Sequence, residues 1–477
     1  MDLDPDAAYT ALRTRDARFD GRFFVGVTST GIYCRPVCRV RTPRRENCRF
    51  FPNPAQAEAA SFRPCLKCRP EIAPGLSAMD SSASLAHSAA RWIEQRVQAG
   101  EAAPMAALAR RRGVTDRHLR RIFVAAHGVT PSDYLTTQRL LLAKQLLTDT
   151  HEPVAQVALA SGFGSLRRFN AAFSERYRMP PSRLRRDSAA PALPALRLAW
   201  RPPYDAEGMA AFFATRSVDG VEAVAGPRAM RRTLSLAHRG QLLDGWIEWQ
   251  LEPEAGEARL RVAPALAPAL AAVIARTRHA LDLDADPALL EPAMPLRHGS
   301  GMRLPGSFDP FESAVRIVLG QQVSVAAART LATRLVHALG RPLATPWPEL
   351  NRLFPDAAAL AAADPELIGR LGIVRQRVRA LQALAAAVAE GRIVLVPQAP
   401  LAETLDALRA LPGIGEWTTQ MIALRVLAWP DAFPASDIGV LRALDTRDAH
   451  EALRRAEPWR PWRGYAVLRL WQTLEQA

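Results

Sequence analysis

The chain has 477 residues, carries 62 Lys and Arg against 47 Asp and Glu for a formal net charge of +15, and is 49% apolar. That length supports three or four domains with separate cores. The positive excess, arginine at nearly every position, points to a polyanionic partner. A GC-rich genome also enriches arginine, so position along the chain has to decide. No uncharged apolar run approaches the roughly 20 residues that cross a bilayer, so a cytoplasmic protein with no membrane partner is expected.

All five cysteines lie in the first seventy residues, and a reducing compartment favours metal ligation over disulfides. Cys34 and Cys38, then Cys65 and Cys68, form two short-spaced pairs joined by a loop, the pattern that wraps one tetrahedral zinc ion. Cys48 stands alone and is expected to be a buried small apolar side chain. The ordinary reading of such a quartet is a purely structural zinc site. Four thiolates on zinc also leave a net charge of about −2 and nucleophilic sulfurs. Arg35, Arg39, Arg41, Arg44, Arg45 and Arg49 cluster around them in sequence, dense enough to hold a DNA backbone. Spacing alone does not choose one cysteine over another.

The stretches "GRFFVGVTSTGIYCRPVCRVRTPRRENCRFF" and "AASFRPCLKCRPE" closely resemble the N-terminal domain of the Ada adaptive-response family. The resemblance implies that Cys34 is both zinc ligand and irreversible methyl acceptor from DNA methylphosphotriesters, with Cys38, Cys65 and Cys68 as the other ligands. Separately from the resemblance, the density of arginines makes Arg35 and Arg41 expected contacts to the DNA backbone.

Segments 73–84 and 187–195, rich in Ala, Pro, Ser or Gly, are expected to be linkers. Between them, residues 104–128 pattern as a short helix, a turn at Gly113, a Thr115 N-cap and an arginine-dense helix. Residues 152–185 repeat the scheme through Gly162, Gly164 and Ser165. This is helix-turn-helix grammar. With "ASGFGSLRRFNAAFSERYRMPP" the pair resembles the AraC-type DNA-binding domain. Candidate groove contacts are Arg117, His118, Arg120 and Arg121 in the first unit, and Leu166, Arg167, Arg168 and Asn170 in the second.

Residues 196–265 shift to short alternating runs such as "DGWIEWQLE", which predict a small sheet. Helical patterning then continues to the end. "LRALPGIGEWTTQMIALRVL" predicts a helix-hairpin-helix in which Gly413 and Gly415 let the backbone approach a DNA phosphate. Asp437 follows in "FPASDIGVLRAL". Alone, it would be an ordinary helix N-cap.

With "LRLAWRPPYD", "RLPGSFDPFESAVRIVLGQQVSVAAA" and "EPWRPWRGYAVLRLW", the whole of 194–475 resembles the AlkA-type 3-methyladenine DNA glycosylases. The resemblance makes Asp437 the catalytic carboxylate, Trp417, Trp471 and Met421 the base pocket, and Gln322 the base-flipping wedge. Gln322 replaces leucine of the best-known relative, and Met421 and Ile438 replace two pocket tyrosines. Trp417 occupies the place of the Schiff-base lysine of strand-cutting relatives, which implies a monofunctional glycosylase. No cysteine follows Cys68, so the second methyl-acceptor domain of the familiar Ada layout is excluded.

The expected architecture is multidomain, mainly α with α+β parts. It comprises a zinc-binding α+β head at 1–75, two helix-turn-helix units at 84–186, a β-sheet subdomain at 194–300 and a helical helix-hairpin-helix glycosylase domain at 301–477. The expected function is a DNA alkylation-damage sensor, transcription regulator and repair enzyme. It would be a monomer with one zinc, binding methylated and promoter double-stranded DNA and working with RNA polymerase. The rival reading is a zinc-containing AraC-type transcription factor whose glycosylase-like part only binds DNA.

Overall fold

A computed structural model describes residues 5–74, 85–98, 100, 103–111, 114–184, 195–238, 240–290, 301–397 and 399–475. The expected linkers lie almost wholly outside the described residues, as does the Gly113 turn.

In the head, α1 (Pro5–Thr14) and α2 (Pro54–Ala59) pack on a four-stranded sheet. Its strands are β1 (Phe24–Val27), β2 (Ile32–Cys34), β3 (Cys48–Phe51) and β4 (Arg63–Pro64), in the order β3-β1-β2-β4. β2 and β4 run parallel and the other pairs antiparallel. Cys48 is buried against Ala8, Ala11 and Phe23, as an isolated small apolar residue should be.

The middle is all helical: α3 (Leu85–Gln98), α4 (Met105–Arg111), α5 (Asp116–His127), α6 (Pro131–Asp149), α7 (Val154–Ala160) and α8 (Leu166–Tyr177). Local chemistry sets the ends of both arginine-rich helices. Thr115 caps α5 by accepting from the His118 N–H, and Ser165 caps α8 by accepting from the Arg168 N–H. Gly128 ends α5 at φ 70° and Gly162 turns the chain before α8 at φ 80°, left-handed conformations suited to glycine.

Next comes an antiparallel sheet of β5 (Leu196–Ala199), β6 (Glu222–Gly226), β7 (Ala229–His238), β8 (Gln241–Glu252) and β9 (Glu257–Val262), ordered β5-β9-β8-β7-β6. α9 (Ala206–Thr215) and α10 (Leu270–Ala280) accompany it. Along β8, Ile247, Trp249 and Leu251 turn inward while Glu248 and Gln250 face outward. Trp246 is buried on the opposite face beside Leu350 and Trp347, so a later loop closes that side.

The remainder is helical: α11 (Pro287–Leu290), α12 (Pro310–Leu319), α13 (Val325–Leu339), α14 (Ala357–Ala362), α15 (Pro365–Arg370), α16 (Arg375–Ala389), α17 (Leu401–Arg409), α18 (Glu416–Arg425), α19 (Ile438–Ala443), α20 (Ala449–Ala456) and α21 (Arg463–Glu475). No helix among the described residues is long and apolar enough to cross a membrane.

Two large cores divide the molecule differently from the sequence segments. One runs without a break from Ala55 of the head through Ile93, Phe123 and Phe173 to Trp249 of the sheet and Ile274 of α10; the other belongs to the C-terminal helices. The head is also joined to α6 by buried charges. Lys144 donates to Glu71 at 2.5 Å, and Arg69 reaches Glu71 at 2.9 Å and Asp149 at 2.5 Å. Burying four charges is tolerable only because they are mutually paired. Beside them Glu58 accepts from Tyr33 at 3.0 Å and from Thr137 at 2.8 Å, and burial pushes its carboxyl up to about 7.

Candidate functional sites: a cysteine cluster and a carboxylate cleft

The cysteine cluster forms where β2 ends. Val25 of β1 pairs with Cys34, and the Cys65 N–H donates to the Tyr33 carbonyl at 3.0 Å, drawing the second cysteine pair alongside the first. The Cys38 N–H donates to the Arg35 carbonyl at 3.1 Å, closing the turn between Cys34 and Cys38. All four Sγ atoms lie within 4.8 Å of one another. Tetrahedral zinc with Zn–S bonds near 2.3 Å sets its sulfurs roughly 3.8 Å apart, so the quartet fits one zinc ion with small adjustments. Hydrogen bonds from Cys34, then Cys38 and Cys68, pull Cys65 down, while those of Cys38, then Cys65 and Cys68, push Cys34 up. Burial does not single out Cys34: Cys34, Cys38 and Cys65 are buried and Cys68 is the most open of the four.

The expectation that Arg35 contacts DNA is corrected. The residue is 6% exposed, its side chain forms a buried ion pair with Asp20 and donates to the Cys68 carbonyl at 3.0 Å, and its backbone N–H donates to Cys68 Sγ at 3.3 Å. With three of its five donors engaged inside the head and almost none of its surface open, this guanidinium serves the cluster rather than a phosphate. Arg39, Arg41, Arg44 and Arg49 stand exposed around the same loop.

On α5, Leu119, Phe123 and His127 face the core, leaving Arg117, His118, Arg120 and Arg121 outward; Arg120 pairs with Asp116 one turn back. On α8, Phe169, Phe173 and Tyr177 are buried, leaving Leu166, Arg167, Arg168 and Asn170 outward. The helical period thus puts both candidate sets on solvent faces.

In the C-terminal helices a cleft of roughly 380 Å³ is lined by Arg316, Trp417, Met421, Arg425, Asp437 and Trp471. Asp437 is the N-cap of α19, and three donors hold its carboxylate. Oδ1 accepts from the Val440 N–H at 3.1 Å and from Trp471 Nε1 at 2.8 Å, and Oδ2 accepts from Trp417 Nε1 at 2.9 Å. The two tryptophans therefore orient the carboxylate with their edges while lining the cleft. Ile438 is 63% exposed and does not line it.

The hairpin between α17 and α18 packs against α16. Gly413 has φ 76°, and a Cβ there would stand 2.8 Å from that of Ala380, whereas Gly415 faces open space. Glu416, the first residue of α18, is paired with Arg409 at 2.7 Å. Gln322 is exposed at the tip of the turn between α12 and α13.

Sequence reasoning did not find Arg425, whose guanidinium is pushed down to about 9 by burial and by Arg216 and Arg316. Nor did it find Gln321, which ties the turn to the hairpin. Both signals are three-dimensional.

A cysteine quartet on a small sheet, two capped recognition helices and a carboxylate cleft beside a hairpin define a modular DNA-binding protein with a base-excision fold. Four family profiles match in the same order: the metal binding domain of Ada at 7–71, a helix-turn-helix domain at 108–187, the AlkA N-terminal domain at 195–309, and the HhH-GPD superfamily base excision DNA repair protein at 315–457. A Mycobacterium tuberculosis protein described as a probable bifunctional transcriptional activator/DNA repair enzyme AlkA is 38% identical over 496 residues, covering 100% of this chain and 97% of that one. The chain belongs to this family of bifunctional activator and repair proteins. DNA-3-methyladenine glycosylase 2 of Escherichia coli is 34% identical over 58% of this chain and 96% of its own length. The bifunctional transcriptional activator/DNA repair enzyme Ada of the same organism is 35% identical over 34% of this chain and 43% of its own.

Proposed function

We propose that this protein senses and repairs DNA alkylation, joining a methyl-accepting zinc head and a DNA-binding regulator to a monofunctional DNA glycosylase that excises alkylated bases such as 3-methyladenine. The observation that carries the reading is Asp437, its two oxygens aimed by two indoles and a backbone amide at the mouth of a cleft next to a helix-hairpin-helix.

Alkylation at a ring nitrogen makes the base cationic and a good leaving group. The enzyme then has to stabilise positive charge that builds on the sugar as the glycosidic bond breaks. Once the nucleotide is flipped into the cleft, Asp437 supplies a fixed negative charge beside the anomeric carbon and orients the attacking water. The glycosidic electron pair leaves with the base, water adds to the sugar carbon and an abasic site results. With Trp417 where strand-cutting relatives carry lysine, no Schiff base forms.

In the head, a zinc ion held by Cys34, Cys38, Cys65 and Cys68 would keep their sulfurs as thiolates at neutral pH. Cys34 Sγ attacks the methyl carbon of a methylphosphotriester, the new C–S bond forms as the C–O bond breaks, and the electron pair stays on the phosphate as an ordinary diester. The resulting thioether is neutral, so the cluster loses one unit of negative charge. Repulsion from the DNA backbone falls and affinity rises, which turns damage into a signal for the regulator. The exposed arginines of α5 and α8 read the promoter groove, and the chain acts as a monomer that recruits RNA polymerase.

Base release from methylated duplex tests the carboxylate: Asp437→Asn lowers release by about 10²–10³-fold and keeps DNA binding, and unchanged release overturns the assignment. Mass spectrometry after incubation with methylated DNA tests the head. A methyl on Cys34 is expected, whereas no methyl on any cysteine leaves a structural zinc site.

A further inference from the structure

The turn at residues 320–324 between α12 and α13 presents Gln322 with φ 55°. A left-handed backbone is unfavourable for a residue with a side chain and persists only where the surroundings impose it. The residue before it is held on three sides. Gln321 Nε2 donates to the Gly413 carbonyl of the hairpin at 2.9 Å and to Thr418 Oγ1 on α18 at 2.8 Å, and the Gln321 carbonyl accepts from Arg377 Nη2 on α16 at 2.5 Å. The hairpin is itself seated on α16 through Gly413 and Ala380. Turn, hairpin and α16 thus form a closed triangle with Gln321 at one corner. Beyond Gln322, Val323 of the turn and Val325 at the start of α13 are exposed, at 38% and 46%, along the rim of the cleft. These are apolar surfaces that a nucleotide base can cover.

We infer that Gln321 is a positioning residue for base flipping, tying the wedge at Gln322 to the hairpin that grips the DNA backbone. The inference rests on the glycosylase reading. A wedge can push a base out of the stack only if it is rigid relative to the point where the strand is held. A tie between the two lets backbone binding drive unstacking. The bond to Gly413 lies at the surface, where water competes for it, and it strengthens when DNA covers it.

The test uses the full chain and a duplex carrying one methylated adenine beside 2-aminopurine, whose fluorescence rises on unstacking. Gln321→Met keeps the length of the side chain and removes both donors; Arg377→Met cuts the third tie without touching the turn. Gln321→Met, which loses two neutral hydrogen bonds, and Arg377→Met, which loses one charge-assisted bond, are each expected to slow the fluorescence rise and single-turnover base release on paired duplex by about tenfold. With the lesion opposite an abasic spacer, where no pairing has to be broken, release should stay within about twofold of the parent. Equal losses on both substrates, or a fluorescence rise as fast as the parent's, overturn the inference. If the parent chain unstacks the duplex and releases no base, the glycosylase reading fails while the positioning role is still decided by the fluorescence.

Discussion

The cysteine cluster and the Asp437 cleft are assembled in contrasting ways. The four sulfurs come from two short-spaced pairs brought together by neighbouring strands of one small sheet. Asp437 depends on indoles 20 and 34 residues away, on α18 and α21. A metal ion needs donors within a sphere of a few ångströms and tolerates loops that close around it. A carboxylate that stabilises charge at a sugar carbon has to be rigid before the substrate arrives, which calls for packed helices. On the function proposed above, one site would spend itself in a single methyl transfer, whereas the other is built to be reused.

The contrast breaks most visibly at the metal. Cys65→Ala should lower bound zinc from one ion per chain to none, as read by elemental analysis, and unfold the head, since structural zinc contributes on the order of 10 kcal/mol in small domains. Base release should persist, because the cleft lies in a separate core. Coupling of the head to α6 comes next. Lys144→Met leaves Glu71 and Asp149 buried with Arg69 alone and should cost about 3–5 kcal/mol in denaturant unfolding. In the cleft, Asp437→Asn should reduce single-turnover release by about 10²–10³-fold with zinc content unchanged.

Smaller effects sharpen the same division. Trp471→Phe removes one donor to Asp437 while keeping an aromatic wall, and should slow release by about fivefold. The smallest effect concerns pH. Glu58 has its carboxyl raised from 4.5 to about 7, so the folded state binds more protons than the unfolded chain between those values. Its contribution to stability is therefore present at low pH and lost as pH rises through 7, with a slope near pH 7 of at most about 1 kcal/mol per unit. Glu58→Gln should flatten that slope in unfolding experiments run from pH 5 to 8.

Much of the candidate chemistry was legible before folding because its signals are local. Cysteine spacing, the Thr115 and Ser165 caps and the alternation along β8 each act within one or two turns or strands. Arg35 was misread for the same reason. Lying among arginines it looked like a phosphate contact, and only the fold brings Asp20 and Cys68 to it. The tethering by Gln321 was invisible because its partners lie 56 to 97 residues away.

By itself the sequence determined which residues can ligate, cap, alternate and carry charge, because those properties belong to side chains and their near neighbours. Tertiary structure alone decided that the head, the regulator and the sheet share one core, that two tryptophans point their N–H groups at Asp437, and that a glutamine braces the wedge. Each of these depends on burial and on donors meeting acceptors across long stretches of chain, and hydrophobic packing sets that only once the whole molecule has closed.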